Sequence, residues 1–386
     1  MLRLAVKMLV GDRTKFIGIL IGLTFATFII TQQMGIFIGL MQRTYGFITD
    51  TSQPNIWVMD SQVQQVDDIK TIKFTKLFQV RGIEEVEWAV PLFKGLLRAR
   101  LQNGVFQTCN VIGIDDATLI GGPPVVTRGS ILDLREPNAV IVNEVGAREK
   151  LATPSKGWVE TRIPLQLGTA FEINNIRAEV VGFCKTTRSF MSQPVIYTTF
   201  NRAINYAPKE RNLLTFILVK SKKGVDPEVL CKQISERTGL AAYTSRGFKR
   251  LTILYYLFQT GIPINFGVSV GLGFIIGMAI AGQIFYNFAH DNRHYFATFK
   301  AMGATQNLLT NMILLQALVV ASLSWGLGVG ATALFGFLTS KTEISFTLPW
   351  WLLVGSALSI LAITLLAALI GIRQITRLEP GIVFQT

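Results

Sequence analysis

The polar and apolar residues of this chain are sorted into blocks. Residues 16–41, "FIGILIGLTFATFIITQQMGIFIGLM", carry no charge, and neither do residues 251–289. Two further apolar stretches cover 308–338 and 348–372. A membrane span needs about 20 apolar residues in succession. The pattern therefore predicts four spans. The first is too long for the apolar core of a cleaved leader, about 7–15 residues, and "QRTYGFITD" after it is a poor cleavage site. Residues 251–289 exceed one span, and Pro263 marks a break. Leu251–Ile262 reads as an amphipathic lead-in and Ile264–Phe288 as the span itself. The fourth span opens on Pro349, Trp350 and Trp351, an aromatic anchor for a membrane interface.

The long segment between the first two spans has a different texture. "NAVIVNEVG", "AEVVGFC" and "PVIYTTF" are short β-branched runs bounded by Gly, Pro or Asn, and they predict strands. "DPEVLCKQISERTG" predicts a helix, with Asp226 as N-cap, Pro227 at the first position and Gly239 as stop. A segment of this size can bury its own core. The predicted fold class is an α-helical membrane protein with four spans and a large mixed α/β extracytoplasmic domain between spans one and two.

Composition sharpens this picture. The chain of 386 residues is 50% hydrophobic and only 16% charged, against about 25% charged in soluble domains. Its net charge of +13 gathers largely beside the spans. No arginine-rich run with interleaved aromatics predicts a nucleic-acid groove. In short loops, lysine and arginine favour the cytoplasmic side. Arg3, Lys7, Arg13 and Lys15, then Arg293 and Lys300, then Arg373 and Arg377 fall on one side of a four-span chain, whereas "TSKTEIS" is near neutral. Both termini are expected on the cytoplasmic side of the membrane. The expected divisions are an amphipathic N-terminal helix (1–15), span one (16–41), an outer α/β domain (42–250), lead-in and span two (251–289), a cytoplasmic loop (290–307), span three (308–338), span four (348–372) and a cytoplasmic tail (373–386). The N-terminal helix is expected to lie on lipid, with Leu2, Val6, Leu9 and Val10 down and Arg3, Lys7 and Arg13 up.

Candidate chemistry is sparse. His290 and His294 stand four apart, a spacing that puts two rings on one helical face. A zinc protease motif places glutamate after the first histidine and needs a third ligand. Here Asp291 follows, and the chain has no other histidine, so no metal site is expected. Gly267–Gly271, "GVSVG", matches a nucleophile-elbow pattern, but inside a span Ser269 reads as a small packing residue. Gly267 with Gly271, Gly273 with Gly277, and Gly326 with Gly330 have the spacing that lets helices approach closely, within the chain or between copies. No Gly-x-x-x-x-Gly-Lys-Ser/Thr occurs, so no nucleotide cofactor is expected here. The spans hold no central ionisable residue of the sort an ion-coupled carrier uses. Work, if done, draws on a partner. Cys109, Cys184 and Cys231 form no pattern, and no essential disulfide is expected.

"YFATFKAMGATQNLL" is expected to be a helix bearing Phe296, Phe299 and Met302 along one side, a docking ridge or a helix resting on lipid. This stretch resembles the cytoplasmic signature of FtsX-like permeases, the transmembrane subunits of type VII ABC systems. The likeness runs over Phe296–Thr305. "VIGIDDATLI" and "GWVETRIPLQLGTAFEINNIRAEVVGFC" resemble the MacB-like outer domain, and the DevC-like permeases are the subgroup the chain looks most similar to. The lead-in "AHDNRHYF" departs from the family in having few acids. The resemblance implies a permease subunit of an exporter, seated in the bacterial inner membrane. It implies that ATP and Mg are bound by a separate ABC ATPase subunit, and that Phe296, Phe299, Lys300, Met302, Gly303, Ala304 and Thr305 couple to it. A second copy of the chain, a membrane-fusion adaptor and an outer-membrane channel are the other implied partners, besides membrane lipid. Two rival roles remain: extraction of a lipid or lipoprotein, and non-transporting signal transmission to a cell-wall hydrolase. A membrane protease is a more distant one.

Overall fold

The computed structural model describes residues 2–154, 162–208, 214–340 and 342–376. Expectations on residues 157–161, on Lys341, on the tail from Arg377 and on the side chains of Leu2, Arg3 and Val6 lie outside the described residues. Two helices open the chain, α1 (Leu2–Gly11) and α2 (Arg13–Asp50). An α/β stretch follows: β1 (Ile56–Met59), α3 (Thr75–Arg81), β2 (Val86–Arg100), β3 (Phe106–Ile114), β4 (Val125–Arg128), β5 (Ala139–Asn143), α4 (Glu144–Arg148), β6 (Thr153–Pro154), β7 (Arg162–Ile163), β8 (Ala170–Ile173), β9 (Ile176–Lys185), β10 (Val195–Thr199), α5 (Phe200–Tyr206), β11 (Phe216–Ser221), α6 (Pro227–Thr238), β12 (Ala241–Thr244) and α7 (Ser245–Phe258). Four helices close it: α8 (Ile262–Asp291), α9 (Arg293–Ala301), α10 (Gln306–Thr339) and α11 (Trp350–Thr376).

The chain forms two compact units, Met1–Leu40 with Gly261–Thr386, and Met41–Thr260. Helix α2 is unbroken and contributes to both. Helices α2, α8, α10 and α11 are each long and apolar enough to cross a membrane.

In the α/β unit one sheet runs β12-β1-β11-β2-β3-β10-β5-β9-β4, with β8 beside β2 and β9. Pairings β3–β10 and β5–β9 are parallel. Strands β5 and β10 are buried at every position, which explains their continuous apolar runs: a strand covered on both faces loses polar alternation. One core holds Leu77, Val80, Phe93, Leu97, Ala203 and Leu230; another holds Ile48, Trp57, Leu92, Ile112, Phe216 and Phe248. Strand β2 feeds both, because successive side chains point to opposite faces. Helix α6 begins and ends as its sequence predicts. The Asp226 side chain accepts the Glu228 N–H at 2.9 Å, and Gly239 takes φ +69°. The stretch from Leu251 is the continuation of α7, a helix that starts at Ser245 within the α/β unit.

All three cysteines are free and buried. Burial pushes each thiol up to about 12, so the reactive thiolate is scarce at neutral pH. A maleimide reagent is expected to leave the folded chain unmodified for hours and to label three thiols once the α/β unit is unfolded. Rapid labelling of the folded chain would contradict this burial.

In the helical unit the core joins Ala5, Leu9, Ile19, Leu23, Phe285, Phe288, Phe296, Leu309, Ile313 and Ile363. The N-terminal helix departs from its expected place. Leu9 is buried and Val10 is exposed, so they do not share a lipid-facing side. Ala5 and Leu9 pack into the unit's core, and the buried Gln316 Nε2 of α10 donates to the Ala5 carbonyl at 2.8 Å. A buried amide needs such a partner.

The glycines redistribute as well. A Cβ on Gly277 would lie 2.7 Å from that of Ala26, and one on Gly273 would lie 3.1 Å from Ile29. Gly267, Gly271, Gly326 and Gly330 meet nothing within 4 Å. Close packing falls also on Gly22, Gly35 and Gly39 of α2, and on Gly328 and Gly336 of α10. Gly35 and Gly39 make room for Ser345 and Phe346, where the Thr347 N–H donates to the Gly35 carbonyl at 3.2 Å.

Candidate coupling site

Helix α8 ends at Asp291, and Asn292 starts a new direction at φ −89° and ψ 9°. Its Nδ2 donates to the Phe288 carbonyl at 2.9 Å, closing the end of α8. His290 and His294 thus belong to different helices, and the shared face expected from their spacing does not form. The His290 ring stacks on Tyr286, with Gln374 Nε2 3.3 Å from its Nδ1. Among the described residues no group of three or more His, Cys, Asp or Glu side chains is placed to hold a metal.

Asp291 is paired with Lys15, whose ammonium also meets Asp12 at 2.7 Å. That ammonium holds the Asp12 carboxyl below the usual carboxylate range. The start of α2, the turn before it and the end of α8 are thereby tied at one point.

Helix α9 is a short amphipathic helix set between two apolar ones. Phe296 is 1% exposed and sits in the core of the helical unit with Ala297 beside it; Phe299 is half-buried against the same core. Met302, at the C-cap, is 70% exposed. The three apolar side chains therefore do not form one exposed ridge. At 100° per residue, positions three apart drift steadily around the axis, and the two phenylalanines are claimed by the core of their own unit. The exposed line instead joins Tyr295, 64% exposed, Thr298 and Met302. Tyr295 and Met302 are seven apart, nearly two full turns, and so fall on one side. That i, i+7 spacing is a signal the sequence carries beside the more conspicuous phenylalanines.

The end of α9 is a Schellman turn. The Ala304 N–H donates to Phe299 O at 2.9 Å, and the Gly303 N–H to Lys300 O at 3.1 Å. Gly303 adopts φ +92°, the left-handed region where a side chain strains the backbone. Ala304 packs on the same core as Phe299, the apolar contact that accompanies this motif. Thr305, extended at φ −70° and ψ 152°, is the N-cap of α10 but makes no side-chain cap bond. Lys300 borders a small cavity with Gln306, Leu309, Ile313 and Ile372. Phe296 shares one apolar core with Phe285 and Phe288 of α8 and with Leu309 and Ile313 of α10.

Two sequence profiles match the chain. The FtsX-like permease C-terminal profile covers residues 267–380, and the MacB-like periplasmic core domain profile covers residues 16–237. The chain belongs to the MacB-like/FtsX-like permease family. It is a permease of ABC-transporter type and a protein of the inner membrane, and permeases of this family are non-catalytic transmembrane subunits.

Among solved structures, the extracellular domain of the noncanonic ABC-type transporter YknZ from Gram-positive bacteria is 15% identical, with 50% of this chain and 98% of that one covered and a TM-score of 0.34. The periplasmic region of MacB from Actinobacillus actinomycetemcomitans is 13% identical, with 53% and 94% covered and a TM-score of 0.38. A domain of a putative permease from Porphyromonas gingivalis is 15% identical, with 49% and 88% covered and a TM-score of 0.31. No curated protein matches the chain.

Proposed function

We propose that this permease is the membrane subunit of an ABC exporter whose ATPase is a separate chain. The observation that carries the proposal is helix α9: its inner face is buried in the core of the helical unit, and its outer face, Tyr295, Thr298 and Met302, is bare. Tyrosine and methionine are favoured at protein interfaces. ATP and Mg belong to the ATPase subunit. ATP-driven closure of two such subunits presses on α9, Phe296 passes the load to α8 and α10, and the outer α/β domains move. Cargo is then driven into a membrane-fusion adaptor and an outer-membrane channel without passing between the spans. Gly303 and Ala304 set the turn through which α9 hands over to α10, and Lys300 and Thr305 lie at its two ends. The permease works as a pair of identical copies; the bare glycine faces at Gly267, Gly271, Gly326 and Gly330 suit contact between them. Both termini and α9 lie in the cytoplasm. The DevC-like permeases are the subgroup this assembly fits.

The experiment is co-purification from nanodiscs with the cognate ATPase subunit. Met302→Asp and Tyr295→Asp are expected to insert and fold normally and to lower ATPase capture at least about tenfold, since one apolar anchor contributes about 1.5–3 kcal/mol when fully buried. Capture equal to the wild type by both variants would refute the docking role of this face.

A further inference from the structure

Helix α7 has two faces of different character. Phe248, Thr252 and Tyr256 are buried. They stand four apart, so they fall on one side of the helix. The Phe248 ring lies 5.7 Å from Trp57 and 5.8 Å from Phe216, and the Tyr256 ring lies 5.0 Å from Phe190. These contacts fix α7 to the α/β unit. Arg246, Arg250, Leu254 and Phe258 also stand four apart, but two positions out of step and so on the opposite side. All four are exposed, Phe258 at 77%.

This outer stripe changes chemistry along its length, cationic at first and apolar at its end. Arg246 shares a cleft with Asp226 and Glu228, two nearby counter-charges. Lys249 is turned aside, its ammonium 4.0 Å from the centre of the Tyr45 ring. Arg250 makes no ion pair among the described residues, and the chain has no Asp or Glu from Ser245 to His290.

The apolar end is held at a membrane by the chain itself. Helix α8, long and apolar enough to cross one, begins at Ile262, four residues after Phe258, and four residues reach at most about 14 Å. The headgroup layer on each side of the hydrocarbon is about 5–7 Å deep, close to one helical turn of about 5.4 Å. With Leu254 and Phe258 at the edge of the hydrocarbon, Arg250, one turn earlier, stands at the depth of the phosphates. Arginine suits that place, because its stem lies along apolar surface while its guanidinium forks onto phosphate oxygens. We infer that the outer face of α7 is a phospholipid site: Leu254 and Phe258 lie against acyl chains, and Arg250 binds the phosphate of an anionic headgroup in the leaflet on the side of the α/β unit. The site does not depend on how the permease couples to ATP.

The test uses the full chain in nanodiscs, with a fluorophore on Leu254→Cys; the native thiols are buried and do not compete for it. Phosphatidylcholine and phosphatidylglycerol are mixed in equal parts, and one or the other carries bromine on its acyl chains, which quenches at contact range. Both are expected to quench, brominated phosphatidylglycerol more strongly, with an enrichment of about fivefold, the worth of one basic residue beside an anionic lipid surface. Arg250→Gln is expected to abolish the enrichment while quenching persists and thermal unfolding is unchanged. Excess inorganic phosphate is expected to leave the enrichment as it was. Absence of quenching would mean that α7 stands in water or beneath another protein, and would overturn the proposal. So would equal quenching by the two lipids with Arg250 in place, or an enrichment that survives Arg250→Gln or is removed by inorganic phosphate.

Discussion

Phe296→Asp is expected to abolish assembly of the helical unit, while Phe296→Ala weakens it severely. Phe296 is 1% exposed within a core built from α1, α2, α8, α10 and α11. Truncating such a ring removes its packing and leaves a cavity, at a cost of about 3–5 kcal/mol. Aspartate adds an unpaired carboxylate among Phe285, Phe288 and Ile313, a penalty of several kcal/mol more unless the helix tears away. Trypsin susceptibility of α9 and α10 in nanodiscs, and the yield of monodisperse protein, measure the effect. Met302→Asp, six residues on and exposed, is expected to match the wild type in both assays. This contrast separates the two faces of α9. If Phe296→Asp yields stable protein and fails only in ATPase capture, Phe296 faces the partner and the inner-face assignment is wrong.

Gly277→Leu is expected to have the second largest effect. A Cβ there would already crowd Ala26 at 2.7 Å, with Ile363 at 3.5 Å behind it. The obstacle is the Cβ of a short side chain, which cannot swing aside, so α2 and α8 must separate. Overpacking of this kind costs about 1–3 kcal/mol, and a rigid helix pair falls at the upper end. The informative control is Gly326→Leu with Gly330→Leu, on a face that meets nothing in the single chain. The pair should leave the thermal unfolding of a monomer unchanged and lower the dimer fraction in cross-linking. A stability loss as large as that of Gly277→Leu would mean that this face packs within the chain.

These two sites also mark how far the sequence could be read. Four apolar runs, each uninterrupted by charge, translate directly into α2, α8, α10 and α11, because length and hydropathy alone decide what can span a membrane. The α/β unit was legible as a class and in single elements. Asp226, Pro227 and Gly239 delimit α6 by local chemistry, and β5 and β10 declare themselves by burial on both faces.

What could not be read is which way a helix faces. Gly-x-x-x-Gly spacing marks a groove but not what fills it. Gly35 with Gly39 and Gly273 with Gly277 have the same spacing as Gly267 with Gly271, yet the first two pairs are filled and the last is bare. On α10 Gly328 is packed, although it lies between the bare Gly326 and Gly330, and it is turned away from them. The same ambiguity hid the outer face of α9: Phe296 looks like an anchor for a partner until the core of its own unit claims it. The tie between Gln316 and Ala5 joins residues far apart in sequence and leaves no local pattern to read.

The proposed coupling of ATP to the outer domain can be tested as a distance. A spin label on Asn103→Cys sits on the exposed turn between β2 and β3, and the buried native thiols do not compete for it. With the permease pair and its ATPase in nanodiscs, the label-to-label distance between the two copies is recorded without nucleotide and after trapping with ATP and vanadate. The expected result is a distinct second distance on trapping, lost in Met302→Asp. The same distribution in both states, with ATP turnover intact, would contradict transmission from α9 to the outer domain.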